Sequence, residues 1–290
     1  MNGTRAVSSD SISIVVVTCN SLPALTDCLT SLSSELRPSV DELIVVDNNS
    51  SDDSTEQVLA FFPDSKVIHN ERNRGFAVAC NQGARIAKGN YLVFLNPDVQ
   101  VDNGSLSALV KAQENNPRAG LASARLRFSD GAFQPNCRVF PTTANILFSR
   151  GSTLSRWFGG TWYTLPDYAV TTGVEAVAAT FVMTRRERFH AIGGFDERFF
   201  MFMEDTDLSL RLHQSGFVNL FVPSAGGVHA WGRGASAGRF RRAWLHHYSV
   251  WKYFLKHVPN GFSMLLLPVL LTVNLVLVGI LPERRSRRPE

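Results

Sequence analysis

Residues Gly193 to Leu208 join a Gly-Gly turn to a run of Phe and Met that ends abruptly in three acids, Glu204, Asp205 and Asp207. An ionised carboxylate carried toward the interior costs roughly several kcal/mol unless it finds a partner or takes up a proton. Two uses fit the pattern. Either the acids cap a helix from Leu208 to Gln214 and complement its dipole, or Glu204 and Asp205 are delivered to a helix start to do chemistry.

Other candidates are spread along the chain. Asp98 follows Asn96 and Pro97, a rigid turn that suits a carboxylate facing a hard divalent cation, which prefers oxygen ligands and few protein contacts. Without context the same three residues make a plain turn. His229 offers a neutral imidazole, a good metal ligand, or an ordinary loop histidine. Asp47 begins the segment Asp47-Asn48-Asn49-Ser50 and either faces a ligand or caps the turn into Ser54. No glycine-rich dinucleotide or P-loop fingerprint is present. A Rossmann dehydrogenase and a P-loop NTPase are therefore disfavoured, and a nucleotide site must rely on carboxylates and metal. Cys19, Cys28, Cys80 and Cys137 form no Cys-x-x-Cys pair and no zinc spacing, so free thiols in a reducing compartment are expected.

The elements that must position these groups are legible from their periodicity. Ile12 to Val17 and Leu43 to Val46 are continuous apolar runs rich in β-branched residues, the pattern of buried parallel strands. Lys66 to His69, Tyr91 to Leu95 and Gly120 to Leu126 add three more. Helical spacing fills the intervals at Leu22 to Leu36, Ser54 to Phe62, Phe76 to Ala87 and Leu106 to Glu114. This alternation predicts an α/β fold with a mainly parallel central sheet flanked by helices and joined by right-handed crossovers. Ligands of such sheets bind beyond the carboxyl ends of the strands. Thr18-Cys19-Asn20, Asp47 and Asn96 to Asp98 all fall there. Residues 127–172 are irregular and read as a surface excursion or lid. Val174 to Thr184 and Phe217 to Val222 return to strand, and Arg239 to Lys256 is helical and aromatic.

The 290 residues carry a net charge of only +4. The body has no Lys/Arg stripe interleaved with aromatics, which argues against a nucleic-acid partner. The basic excess gathers at Arg239, Arg241 and Arg242 and again at Arg284 to Arg288, clusters suited to anionic lipid head groups. Gly261 to Leu281 has no charged residue and about the length of a bilayer crossing. A helix lying in the membrane interface, a true span, and a core or oligomer helix are all compatible with it. Basic residues flank both ends, so orientation is undecided. Met1 to Ser11 is polar and lacks the apolar segment of a secretory signal.

The motifs taken in order carry more than each alone. Thr18-Cys19-Asn20, Val45 to Asp52, Asn73-Arg74-Gly75-Phe76-Ala77 with Ala79, Asn81 and Gly83, Asn96-Pro97-Asp98, the Gly193 to Leu208 block and His229 resemble the family 2 inverting glycosyltransferases of GT-A fold. Within that family the chain is most similar to the rhamnosyltransferase-like branch of bacterial cell-envelope assembly. The resemblance covers about residues 12–235. It implies a GT-A domain over 1–237, with a donor half at about 12–126 and an acceptor half at about 127–237. Residues 238–290 then form a helical, membrane-associating C-terminal extension.

The resemblance also implies roles. Thr18, Asn20, Asp47, Asn49, Arg74, Gly75, Asn81 and Asn96 would bind a nucleotide-diphosphate sugar, with Asp47 accepting from N3–H of a pyrimidine base. Asp98 and His229 would hold a divalent cation, Mg²⁺ or Mn²⁺. The family usually carries Asp-x-Asp where this chain has Asn96-Pro97-Asp98. Asn96 lacks the charge and is expected to hydrogen-bond ribose or diphosphate. Asp205 would be the general base, with Glu204 assisting, and Trp231 and Arg233 would touch the acceptor. The implied reaction moves a sugar, L-rhamnose from dTDP-rhamnose, with inversion onto a lipid-linked or polysaccharide acceptor at the cytoplasmic side of the cell membrane. UDP-galactofuranose or a UDP-hexose is the alternative donor. A sugar-1-phosphate nucleotidyltransferase would want a glycine-rich basic loop after the first strand, which Thr18 to Leu22 does not offer. A non-catalytic scaffold subunit is the remaining alternative. The joint presence of Asp47, Asp98, Asp205 and His229 argues against it.

Overall fold

The computed structural model describes residues 10–37, 40–142, 165–230 and 238–280. The first half alternates as the periodicity requires: β1 (Ile12–Thr18), α1 (Leu22–Leu32), β2 (Glu42–Asp47), α2 (Ser54–Phe61), β3 (Lys66–His69), α3 (Phe76–Ile86) and β4 (Tyr91–Leu95). Strands buried on both faces must send alternate residues to opposite layers. Ile12, Ile14 and Val16 pack beneath Leu25, Leu29 and Leu32 of α1, while Val15, Ile44 and Val46 pack against Ala77, Cys80 and Ala84 of α3. Helix α1 stops at Leu32, short of the expected Leu36. The hydroxyls of Ser31, Ser33 and Ser34 there bond back to the carbonyls of Cys28, Thr30 and Ser31, competing with helix continuation.

The second half is less regular. It holds β5 (Val99–Val101), α4 (Ser105–Asn115), β6 (Ala119–Arg127), β7 (Phe133–Gln134), β8 (Cys137–Arg138), β9 (Thr172–Val174), β10 (Ala176–Val177) and β11 (Phe181–Arg185). Then follow α5 (Arg186–Ala191), α6 (Glu204–Gln214), β12 (Val218–His229), α7 (Arg239–His257), a π-helical turn (Phe262–Leu266) and α8 (Leu267–Ile280). The strand expected over Val174 to Thr184 is three short strands. β9 joins the main sheet beside β12, β10 leaves it to pair with β8, and β11 returns between β4 and β6. Apolar run length carries no information about such partner changes. Strand β12 runs past Pro223 to His229 through register shifts against β6. β5 and α5 are too short to give a periodic signal.

The main sheet has the order β3-β2-β1-β4-β11-β6-β12-β5. β3, β2, β1 and β4 are mutually parallel. β11 runs antiparallel between β4 and β6, so β6 and its parallel neighbour β12 point the same way as β4. The carboxyl ends of β1, β2, β4 and β12 therefore share one edge, and Thr18, Asp47, Asn96 and His229 sit along it.

Candidate active site

The edge begins at β1 and β2, where Thr18 and Asp47 are register partners. Asp47 is buried, and its two carboxylate oxygens accept from Ser50 N at 3.1 and 3.2 Å. His69 Nδ1 lies 3.7 Å from Asp47 Oδ2. The buried Thr18 hydroxyl has no hydrogen-bond partner among the described residues, leaving an unsatisfied donor and acceptor enclosed beside the strand that carries Asp47. Asn20 and Asn49 are both exposed, at φ 52° and 66°, a left-handed conformation that Asn tolerates through local hydrogen bonds. Asn20 Oδ1 accepts from Ser51 N at 2.7 Å and from its hydroxyl at 3.1 Å. Asn20 thus shapes the Ser50–Ser51 loop that follows β2.

The Asn73 to Asn81 segment comes from the next crossover. Asn48, buried at the end of β2, donates to Gly75 O at 3.2 Å and accepts from Asn70 Nδ2 at 2.9 Å. Arg74 is exposed beside it. Gly75 has φ +86°, and a Cβ there would lie 2.4 Å from Phe200 O. Phe76 N donates to that same oxygen at 2.8 Å. The close approach that requires glycine is thus to the backbone ahead of Glu204. Asn81 faces the same block. Its carboxamide donates to Phe195 O at 2.8 Å and accepts from Phe195 N at 3.0 Å. Both ends of Asn81 are engaged in holding the Gly194–Phe195 turn.

Farther along the edge the two candidate metal ligands meet. His229 Nε2 is 3.2 Å from Asp98 Oδ1, both residues being buried. His229 Nδ1 is 3.0 Å from Gln134 Oε1. A proton on Nδ1, donated to that carboxamide oxygen, would leave the Nε2 lone pair facing the carboxylate. Two acceptors at that distance repel unless a proton or a cation lies between them. The Asp98–His229 pair could therefore hold a divalent ion, which needs few protein ligands. Among the described residues no cluster of three or more His, Cys, Asp or Glu is placed to hold a metal. Gln134, on β7, gave no sequence signal.

The acids of α6 complete the site. Phe202 and Met203, immediately before the helix, have φ 68° and 67°. For such side chains the conformation costs on the order of 1–3 kcal/mol each and must be held by surrounding structure. Helix α6 starts at Glu204, four residues before the apolar periodicity suggests, because that strained turn sets its first residue. Glu204 is buried, and one of its carboxylate oxygens has no hydrogen-bond partner among the described residues. Burial first, and then the charge of Asp205, raise its pKa above the usual carboxylate range. Asp205 is more open. Its Oδ1 accepts from Thr206 N at 2.6 Å, and its Oδ2 lies 2.5 Å from Arg138 Nη2. Ala179 N is 3.4 Å from Asp205 Oδ2, and the next residue, Thr180, accepts from Asn96 N at 2.9 Å. The Asn96–Asp98 turn and Asp205 are thus neighbours across residues 179–180. Arg138 comes from the irregular excursion, where no motif marks it.

Asp207 plays a different part. It is fully buried and accepts from Arg211 Nε at 2.8 Å and from Lys256 Nζ at 2.5 Å, while His257 Nε2 lies 2.7 Å away. Lys256 and His257 belong to α7, placed by the sequence reading in the membrane-associating extension. Trp231 and Arg233 lie outside the described residues.

The glycosyl transferase family 2 signature matches residues 13–193. The chain is 30% identical, over 298 aligned residues, to the N-acetylglucosaminyl-diphospho-decaprenol L-rhamnosyltransferase of Mycobacterium tuberculosis, covering 97% of this chain and 95% of that one. Its fold resembles GalNAc-T7 solved with UDP, GalNAc and Mn²⁺, at 17% identity and TM-score 0.62 over 84% of this chain and 47% of that one. It also resembles mannosyltransferase PcManGT from Pyrobaculum calidifontis in complex with GDP-Man and Mn²⁺, at 18% identity and TM-score 0.61 over 92% and 73%. Likeness at that identity establishes the GT-A fold.

Proposed function

The chain belongs to glycosyl transferase family 2, and from that premise we propose that it transfers L-rhamnose from dTDP-rhamnose, with inversion, to a lipid-linked diphosphate-sugar acceptor in cell-envelope glycan synthesis. The observation that carries the transfer reading is the gathering of Asp47, the Asp98–His229 pair and Asp205 along one sheet edge. The choice of donor and acceptor rests on the near full-length similarity to a relative named for L-rhamnosyl transfer to a decaprenol-linked sugar.

In this reading Asp47 accepts from N3–H of the base, Thr18 and Asn20 line the same pocket, and Asn96 and Arg74 face ribose and diphosphate. Asp98 and His229 would hold a divalent cation, Mg²⁺ or Mn²⁺. When bound, that cation neutralises the negative charge that develops on the leaving diphosphate. The acceptor hydroxyl oxygen bonds to the anomeric carbon as the bond to the diphosphate breaks on the opposite face. The hydroxyl proton passes to Asp205, whose carboxylate Arg138 keeps oriented. Glu204, neutral in its buried position, adds no second negative charge beside the diphosphate.

The test is a donor panel. Purified full-length protein is incubated with an N-acetylglucosaminyl-diphospho-polyprenol and dTDP-rhamnose, UDP-galactofuranose or UDP-hexoses, and the products are read by mass spectrometry. Addition of a deoxyhexose from dTDP-rhamnose supports the reading. Transfer from a UDP sugar alone overturns the donor, and no transfer from any donor overturns the enzyme in favour of a scaffold.

A further inference from the structure

Helix α7 is bolted to the turn that presents Glu204 and Asp205. Val250, Tyr253 and Phe254 are buried against Phe199 and Met203 in one cluster with Leu267 of α8. The Ser249 hydroxyl donates to Met201 O at 2.8 Å, and Lys252 Nζ donates to Arg198 O at 2.5 Å. Lys256 bridges Asp207 at 2.5 Å and Asp196 at 2.8 Å. These contacts surround Phe202 and Met203, the two residues held at positive φ.

Helix α8 folds back along α7. Leu267 joins the same cluster as Phe254, Asn274 Nδ2 is 2.7 Å from His247 Nε2, and a Cβ at Gly279 would touch the Phe240 ring at 3.8 Å. The two helices are therefore an antiparallel hairpin in contact along its length. Phe262–Ile280 has a mean hydropathy of 2.4, and only 11% of it is buried. Leu265, Val269, Val273, Val276 and Ile280 are exposed, as are Phe240, Trp244 and Tyr248 at four-residue spacing on α7. The exposed Arg241 and Arg242 open the same helix. An apolar face edged by aromatics and arginines is the makeup of a surface that rests in a lipid interface. A crossing by α8 would part it from α7 or drag the charges of α7 into hydrocarbon, which is costly.

We propose that α7 and α8 form a docking platform that lies in the interface of an anionic bilayer without spanning it, and that the Asp207–Lys256 clamp ties this platform to the Glu204–Asp205 turn, fixing the height of Asp205 over the membrane surface. The proposal rests on the glycosyltransferase reading only for the role of Asp205. The occupant is the bilayer. A second copy of the chain on the same face is an outcome of the test.

The experiment has two arms. In the first, Glu290→Cys in a Cys19→Ser background is bound to sealed phosphatidylcholine–phosphatidylglycerol vesicles and treated with a membrane-impermeant maleimide. Labelling from the outside is expected. Protection until the vesicles are opened would mean a span and overturn the platform. A protein that stays off the vesicles as a dimer would overturn the lipid occupant. This arm reads the platform whether or not the protein turns over any donor.

In the second arm Lys256→Met is compared on a bilayer-embedded polyprenol acceptor and on a short-chain soluble one. Misplacing a reacting group by about 1 Å can cost about 10²-fold in rate, so a smaller shift of Asp205 is expected to cost about tenfold. That loss is expected on the bilayer acceptor, with the soluble reaction largely retained, vesicle flotation unchanged, and Lys256→Arg restoring much of the difference. Equal loss on both acceptors, or loss on neither, overturns the clamp.

Discussion

Arg138 Nη2 sits 2.5 Å from Asp205 Oδ2, joining the two-residue strand β8 to the first turn of α6. A guanidinium so placed leaves the carboxylate one orientation, with the other oxygen turned back on Thr206. The partner of the proposed base is thus 67 residues away in sequence, on the strand paired with Ala176 and Val177.

Replacing Asp205 with Asn keeps its size and removes its basicity, so turnover should fall at least about 10²-fold while dTDP binding by calorimetry persists. Arg138→Gln should lower kcat more than it raises KM, with Arg138→Lys recovering part of the loss. Near-normal turnover in Asp205→Asn would remove it from the mechanism, and a collapse confined to Glu204→Gln would move the base there.

Glu204 titrates in the opposite sense from an ion-paired acid. Burial raises its folded pKa above the unfolded value. The stabilising contribution of the neutral form is therefore full below the unfolded pKa and is lost as pH rises through the folded one. Glu204→Gln cannot ionise, so denaturant midpoints should show it gaining stability on the native protein as pH is raised from about 5 to about 9. A pH-independent difference between the two would contradict the buried, raised carboxyl.

Asp98→Ala should abolish the Mn²⁺-dependent part of nucleotide binding together with activity, and His229→Ala should weaken it less, because the carboxylate supplies the charge. Calorimetry with dTDP in the presence and absence of Mn²⁺ reads this directly. Full turnover in excess EDTA would remove the cation from the proposal.

Truncation separates the two C-terminal helices. A chain ending at Pro259 loses the apolar helix but keeps α7, and should leave membranes while still binding nucleotide. A chain ending at Ala237 also uncovers Phe199 and Met203 and discards Val250, Tyr253 and Phe254, each burial being worth roughly 1.5–3 kcal/mol. That shorter chain should bind donor poorly and show a lower thermal midpoint. Equal behaviour of the two truncations would support a boundary at 237/238.

The sequence alone determined the doubly covered sheet of the first half. Continuous β-branched runs and 3.6-residue spacing are local signals, and the right-handed crossover leaves parallel strands little choice of edge. It therefore also placed Thr18, Asp47 and Asn96 together, and it drew Asp98, Asp205 and His229 from their motifs. The tertiary structure decided what those motifs do for one another. Gly75 and Asn81 lie in a motif of the donor half, yet they hold Phe200 and Phe195, because the contact that needs a missing Cβ or a carboxamide is with chain more than a hundred residues away. Arg138 and Gln134 come from short strands with no periodicity, and Lys256 from a helix whose aromatic pattern announced only an amphipathic surface. Partners of buried charges are chosen by three-dimensional proximity and desolvation, which leave no mark in the local spacing of residues.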